Sequence, residues 1–284
     1  MQQQAINSAV PPIQTPLPAG ACDCHIHIYE PGYALAPTAT FVPPPGPLKA
    51  YQQVQQALGL SRVIVVQPTG YGFDNACTVD ALKKLGKQAR GIAVVKPDIS
   101  DTDLLQLHQA GIRGVRFMML PGGALGWDQL EPLAARIRPL GWHINFQMDG
   151  CEFPLHEARL RALPTPLVID HVGKFLSPVT PAHAAYRSMC NLLESGRVWI
   201  KLSAPYESSH AGPPAYGDVA ALAFALARNF PERCLWASNW PHPNRVPRPD
   251  DRAMLDLLPG WAPSPAVLKR ILVDNPQALY GFED

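Results

Sequence analysis

Ala21-Cys22-Asp23-Cys24-His25-Ile26-His27-Ile28-Tyr29 reads as a β-strand in which polar and apolar residues alternate. Side chains of a strand point to opposite faces in turn, so Asp23, His25 and His27 are expected on one face and Cys22, Cys24, Ile26 and Ile28 on the other. This suits the wall of a barrel, with the apolar face against helices and the polar face turned inward near the mouth. Two adjacent inward imidazoles are costly to bury unless they bind something.

Outward from this strand the pattern repeats. Strands are expected at Arg62–Gln67, Arg90–Val95, Ile112–Met118, Trp142–Met148, Leu167–His171, Val198–Leu202 and Cys234–Asn239. Helical stretches at Tyr51–Leu58, Val79–Gly86, Asp103–Ala110, Asp128–Leu140, Ala182–Glu194 and Asp218–Asn229 lie between them, and helices near Asp250–Leu258 and Pro265–Val273 follow. Eight strands alternating with helices at this spacing predict an α/β fold, a (β/α)8 TIM-like barrel in one domain over 21–284, preceded by a polar arm over 1–20.

The bulk properties agree and exclude several function classes. The 284 residues are 47% hydrophobic and 17% charged, with a net charge of +1. So neutral a balance gives no support for nucleic acid or a membrane surface as partner. The 32 prolines are scattered and punctuate loops. Six irregularly spaced cysteines without a CxxC pair read as buried thiols of a reducing, cytoplasmic protein. The first twenty residues lack a basic start and an apolar core, so they do not read as a signal peptide. No run reaches the roughly 18 apolar residues that a membrane span needs.

Barrel active sites sit at the C-terminal strand ends, which says which polar residues to suspect. The first strand offers His25 and His27, the sixth ends at Asp170-His171, and the eighth ends in Ala237-Ser238-Asn239-Trp240-Pro241-His242. Arg116 ends the fourth strand and Gln147 and Asp149 the fifth. Tyr206 follows the seventh, and Asn75 lies in the loop after the second.

These positions together resemble the amidohydrolase superfamily, in the subgroup that holds 2-pyrone-4,6-dicarboxylate hydrolase and D-galactarolactone isomerase. Supporting segments are Ala89–Val95, Gly111–Phe117, Ile169–Lys174 and Asn239–Asn244. The resemblance implies a hydrolase-type barrel, yet most members end the eighth strand with Asp where this chain has Asn239. An amide cannot take a proton from water, and loss of a general base costs about 10²–10⁴-fold in rate. The isomerases are similar to the chain at this point, and also at Leu120–Gly123, at His171–Phe175 and at Tyr206–Ser209. The presence of His25 departs from the isomerase pattern.

The resemblance therefore implies isomerisation of a carboxylate-bearing aldarolactone, D-galactaro-1,5-lactone to 1,4-lactone in type, by intramolecular acyl transfer. On this reading His25, His27 and His171 polarise the carbonyl and relay a proton, titrating near neutral pH, while Asn239 holds the reacting oxygens. Arg116 grips the carboxylate with its planar fork, Lys174 adds a second charge, and Gln147, Asp149, Tyr206 and Asn75 complete the substrate contacts. His242 caps the turn between Pro241 and Pro243. No metal is required on this reading; the alternative is a single Zn²⁺ on His25, His27 and His171. The alternative function is a lactone hydrolase in which Asn239 replaces a catalytic Asp, by nature or by engineering, and a third is an inactive barrel that binds sugar acids.

Overall fold

The computed structural model describes residues 17–283. Its strands are β1 Cys22–Ile26, β2 Arg62–Val66, β3 Ala89–Ala93, β4 Ile112–Met118, β5 His143–Gln147, β6 Leu167–Ile169, β7 Val198–Ser203 and β8 Cys234–Ala237. They form one parallel sheet in sequence order. Helices α1 Leu48–Leu58, α2 Ala76–Leu85, α3 Asp101–Gln109, α4 Leu130–Ile137, α5 Phe153–Arg161, α6 Ala184–Glu194 and α7 Gly217–Asn229 alternate with the strands. After β8 come α8 Asp251–Asp256, α9 Leu258–Trp261, α10 Pro265–Lys269 and α11 Asn275–Tyr280. The single (β/α)8 barrel expected from the alternation is present. No helix among the described residues is long and apolar enough to cross a membrane.

All eight strands were found within a few residues of their expected bounds. Helix α5 was not anticipated, because only Phe153 and Leu160 of it are buried and Leu155 stands exposed, which leaves a thin apolar stripe. Most of the expected arm, residues 1–16, lies outside the described residues. Of its last four residues, Leu17 is buried in the core and Ala19 is exposed.

The barrel closes just beyond β8. The Asn239 N–H donates to the His25 carbonyl at 3.0 Å and the His27 N–H to the Trp240 carbonyl at 2.8 Å. The segment after β8 thus lies directly beside the HxH strand, which brings Asn239 next to the imidazoles.

One expectation for β1 is corrected. Its pairing with β2 shifts register between Asp23 and Ile26, and such a bulge changes which face the following residues occupy. Cys22 and Cys24 pack with Ile64, Val66, Ile92, Val168 and Leu235, strand residues of the barrel interior. Asp23 instead meets the Tyr51 hydroxyl of α1 at 3.3 Å and accepts the N–H of His25 at 3.2 Å and of Ser238 at 2.9 Å. His25 and His27 point inward, but Asp23 does not share their face. The barrel interior therefore has an apolar floor below and a charged layer above it.

Candidate active site

That charged layer is built from alternate residues of neighbouring strands. Asn145 and Gln147 of β5, Lys201 and Ser203 of β7, and Asp170 after β6 all turn inward with His25, and each is buried. Lys201 is the hub. Its ammonium donates to Asp170 Oδ1 at 3.0 Å, to His25 Nδ1 at 3.0 Å and to Asn145 Oδ1. The Asn145 amide donates in turn to Asp170 Oδ2 at 2.8 Å. Three donors meet three acceptors, and both carboxylate oxygens are engaged.

Counting hydrogens fixes both imidazoles of the HxH pair. His27 Nδ1 lies 2.8 Å from the Val66 carbonyl, an acceptor only, so that nitrogen carries the proton. His27 Nε2 then accepts from His25 Nε2 at 3.2 Å. His25 Nδ1 is left unprotonated and takes a hydrogen from Lys201, so its 3.3 Å approach to Asp170 Oδ1 is bridged by the ammonium and is not a second bond. Every ring nitrogen of this pair is spent within the protein. His171 differs: Nδ1 meets Ser203 Oγ at 2.9 Å, and among the described residues no protein group reaches Nε2.

Burial and these cations hold all three rings neutral. Burial, then Lys201, pushes His25 well below the usual imidazole range; burial, then Arg116, does the same for His27. Burial lowers His171 to about 4. The expectation that these imidazoles titrate near neutral pH is therefore corrected, because a desolvated ring beside fixed cations resists protonation. Burial alone would raise Asp170, but the Lys201 charge holds its carboxyl well below the ordinary range.

Above this layer opens a cavity of about 410 Å³. Of the residues singled out in the sequence, His27, His171, Arg116, Gln147, Lys174 and Asn239 line it. Its walls also take Tyr29, Thr40 and Phe41 from the loop after β1 and Leu120 and Pro121 from the loop after β4, which adds apolar surface to a largely polar lining. Only glycine fits at 123 in that second loop, since a Cβ there would lie 1.8 Å from the Met118 carbonyl oxygen.

Arg116 is a buried charge that makes no direct ion pair among the described residues, although Asp170 and Glu207 lie near enough to favour it. One guanidinium nitrogen donates to the Gln67 carbonyl at 3.0 Å and another to Gln147 Oε1 at 3.3 Å, both neutral acceptors, while Nε is buried without a partner. Lys174 is different. It sits 2.7 Å from Glu207, which also lies 3.7 Å from Arg245, so the second charge it adds to the cavity belongs to a mouth cluster. Burial opposes ionisation of Glu207, but Lys174 beside it holds the carboxyl below its usual range. The lining thus carries three cations against one carboxylate, a field that favours an anionic ligand.

Other expected residues fall outside the cavity. His25 lies behind His27. Asp149 caps the turn after β5, accepting from the N–H groups of Cys151 at 2.9 Å and Leu176 at 3.1 Å. Asn75 ties its loop to β3 by exchanging bonds with Val94 at 2.8 and 3.0 Å. Both are spent on loop geometry, since a short side chain that already pairs with nearby backbone has no reach left for a ligand. Tyr206 lies beside the cavity, its hydroxyl accepting from Asn239 Nδ2 at 3.0 Å. Asn239 itself is buried, with Oδ1 unpartnered at the cavity wall.

Strain gathers at the same end of the barrel. His171, Val172 and Lys174 after β6, Ala204 after β7 and Asn239, His242 and Asn244 after β8 all have positive φ. Non-glycine residues hold this conformation only where surroundings impose it, and such positions cluster at functional sites.

The amidohydrolase family profile matches residues 22–282. The chain belongs to the amidohydrolase family. It is an enzyme fold with relatives on both sides of the reaction question raised by Asn239. It is 37% identical to a 2-pyrone-4,6-dicarboxylate hydrolase of Comamonas testosteroni, over 95% of this chain and 93% of the relative. It is 35% identical to a D-galactarolactone isomerase of Agrobacterium fabrum, over 93% of this chain and 91% of that protein. The apo crystal structure of an Agrobacterium tumefaciens protein, 35% identical, superposes with a TM-score of 0.89 over 94% of this chain and 97% of that one. Membership of this amidohydrolase group, expected from the HxH, Asp-His and Asn-Trp-Pro-His segments, is thereby established.

Sequence reasoning missed Lys201, Asn145, Glu207 and Arg245. Two of these had a signal. A lysine at the centre of Val-Trp-Ile-Lys-Leu-Ser, and an asparagine two residues before Gln147, both stand at inward positions of barrel strands.

Proposed function

We propose that this amidohydrolase isomerises a carboxylate-bearing aldarolactone, converting a 1,5-lactone of the D-galactaro type to the 1,4-lactone. The observation that carries the reading is Asn239: an amide, buried at the cavity wall with its oxygen unpartnered, stands where activation of water would call for a carboxylate. In the reaction the 4-hydroxyl oxygen bonds to the lactone carbonyl carbon, the bond from that carbon to the ring oxygen breaks, and the hydroxyl proton ends on the released 5-oxygen. No water is consumed. The nucleophile is part of the substrate, so proximity supplies what a base must supply for free water.

Each group has a part. Arg116 grips the carboxylate with charge-assisted bonds, Gln147 binds hydroxyls, and the mouth cations draw the anion in. His171 Nε2, the imidazole nitrogen open to the cavity, carries the proton from attacking to leaving oxygen. His27 stands beside it at the cavity wall, and His25 supports His27 from behind. Apolar Phe41, Leu120 and Pro121 keep competing water from the acyl carbon.

The reading needs no metal. His25, Asp170 and His171 do place ligand atoms within 4.8 Å of one another. They fit a divalent cation poorly, because Lys201 already occupies Asp170 and His25, Arg116 is near enough to depress His27, and strand eight offers an amide. A dication would add its charge to two fixed ones.

The test is carbon NMR of the purified protein with fresh galactaro-1,5-lactone, run beside a pH-stat, before and after dialysis against a chelator. The expected result is 1,4-lactone without base consumption, at a rate the chelator leaves unchanged. Steady base uptake at enzymatic rates would establish the hydrolase alternative, and loss of turnover on chelation would establish a metal.

The same assay gives a pH prediction. Neutral His171 is the working form, and it is lost only as pH falls towards its value of about 4. The profile of kcat/KM is therefore expected to be flat from about pH 8 to about pH 6 and to fall only in stronger acid. An inflection near the ordinary imidazole value of about 6.5 would show that a ring titrates as an exposed one does.

A further inference from the structure

The bond from Asn239 to Tyr206 is one link of a longer chain. We propose that Asp251, His242 and Tyr206 form a relay of hydrogen bonds that fixes which end of the Asn239 amide faces the substrate, so that Tyr206 and His242 are positioning residues for the reaction. The proposal rests on the isomerase reading for its chemistry, but not for its geometry.

Donor counting carries it. Asp251 Oδ1 lies 2.8 Å from His242 Nε2, and Arg248 holds the other carboxylate oxygen at 2.8 Å. A carboxylate accepts, so the ring hydrogen of His242 sits on Nε2, and a ring whose one hydrogen is spent there presents Nδ1 as an acceptor. Tyr206 lies 2.6 Å from that nitrogen and spends its one hydroxyl hydrogen there. The phenol oxygen can then only accept from Asn239, so the NH₂ end of the amide turns to Tyr206. Oδ1 is left facing the cavity as an acceptor.

The backbone of Asn239 is held in place. Asn239 sits at φ 64 with its N–H bound to His25, so with the side chain directed at Tyr206 the amide rotor decides which end the substrate meets. Asn239 presents similar shape in either orientation, but opposite polarity. With Oδ1 forward it accepts the hydrogen of the attacking hydroxyl and aims that oxygen's lone pair at the carbonyl carbon. With NH₂ forward it would donate to the same lone pair and hold the nucleophile back. His242 is fully buried with both ring nitrogens bonded, one to Tyr206 and one to Asp251, so its ring takes part in this chain besides standing in the turn after β8.

The relay makes a prediction that a merely structural role does not. Tyr206→Phe and His242→Phe each break the chain, and each is expected to lower kcat about tenfold, the equivalent of one net hydrogen bond, with KM changed less than about threefold. The double variant is expected to fall no further than either single one, since a chain broken once is broken. Independently of turnover, the Asn239 side-chain amide protons in a ¹⁵N spectrum are expected to exchange slowly in the wild type and faster in both variants.

Thermal melts confirm that each variant is folded, and either variant alone suffices if the other is not. Unchanged kcat, additive losses or unaltered amide exchange would overturn the relay. A wild type that shows the protected amide yet hydrolyses the lactone would overturn the isomerase reading and leave the relay standing.

Discussion

Arg116→Met is expected to lower kcat/KM about 10²–10³-fold while leaving the melting temperature unchanged or slightly higher. The loss follows from removing the charge-assisted bonds that hold the substrate carboxylate, each worth about 1.5–3 kcal/mol. The stability follows from what Arg116 lacks. Its guanidinium is buried, bonds only neutral acceptors and leaves Nε without a partner. Burial costs a cation more than it costs a thioether of similar length, and no carboxylate is orphaned when the charge goes. Function and stability pull apart at such a residue. Kinetics on the aldarolactone, with a melting curve of the same preparation, checks both halves. A fall in melting temperature of many degrees with unchanged KM would make Arg116 a structural residue.

Asn239→Asp is expected to raise hydrolysis about 10²-fold and to divert product from the 1,4-lactone to the open acid. The substitution keeps size and backbone, for aspartate tolerates the positive φ that Asn239 adopts. What changes is the proton inventory: a carboxylate at the cavity wall can take a proton from water, and a positioned base contributes about 10²–10⁴-fold. Base uptake in a pH-stat and the product ratio by carbon NMR report the change. If the ratio stays that of the wild type, the choice between alcohol and water does not lie with this side chain, and the proposed function loses its main support.

Arg116 and Asn239 were legible in the sequence because each ends a strand, and a barrel brings strand ends together whatever the details of its loops. The roles of other residues were not legible. Lys174 reads as a second charge, and only the fold shows that Glu207 pairs with it; Asn75 and Asp149 read as candidate ligands until nearby backbone groups claim them. Asp23 was assigned to the wrong face by strict alternation, which a one-residue bulge in β1 defeats. His242 read as a turn residue, since nothing local in Trp-Pro-His-Pro announces that Tyr206 and Asp251 will meet its ring.

The order of apolar strands and helices, and the chemistry-bearing residues at their ends, determine the barrel, the family and the position of the site. These are properties of short segments, set by local periodicity and by which residue types burial permits. The protonation of three imidazoles, the pairing of Lys201 with Asp170 and the orientation of one amide were decided only in three dimensions. Each depends on charges and hydrogens contributed by strands far apart in the chain, and a donor has no fixed partner until the fold has closed around it.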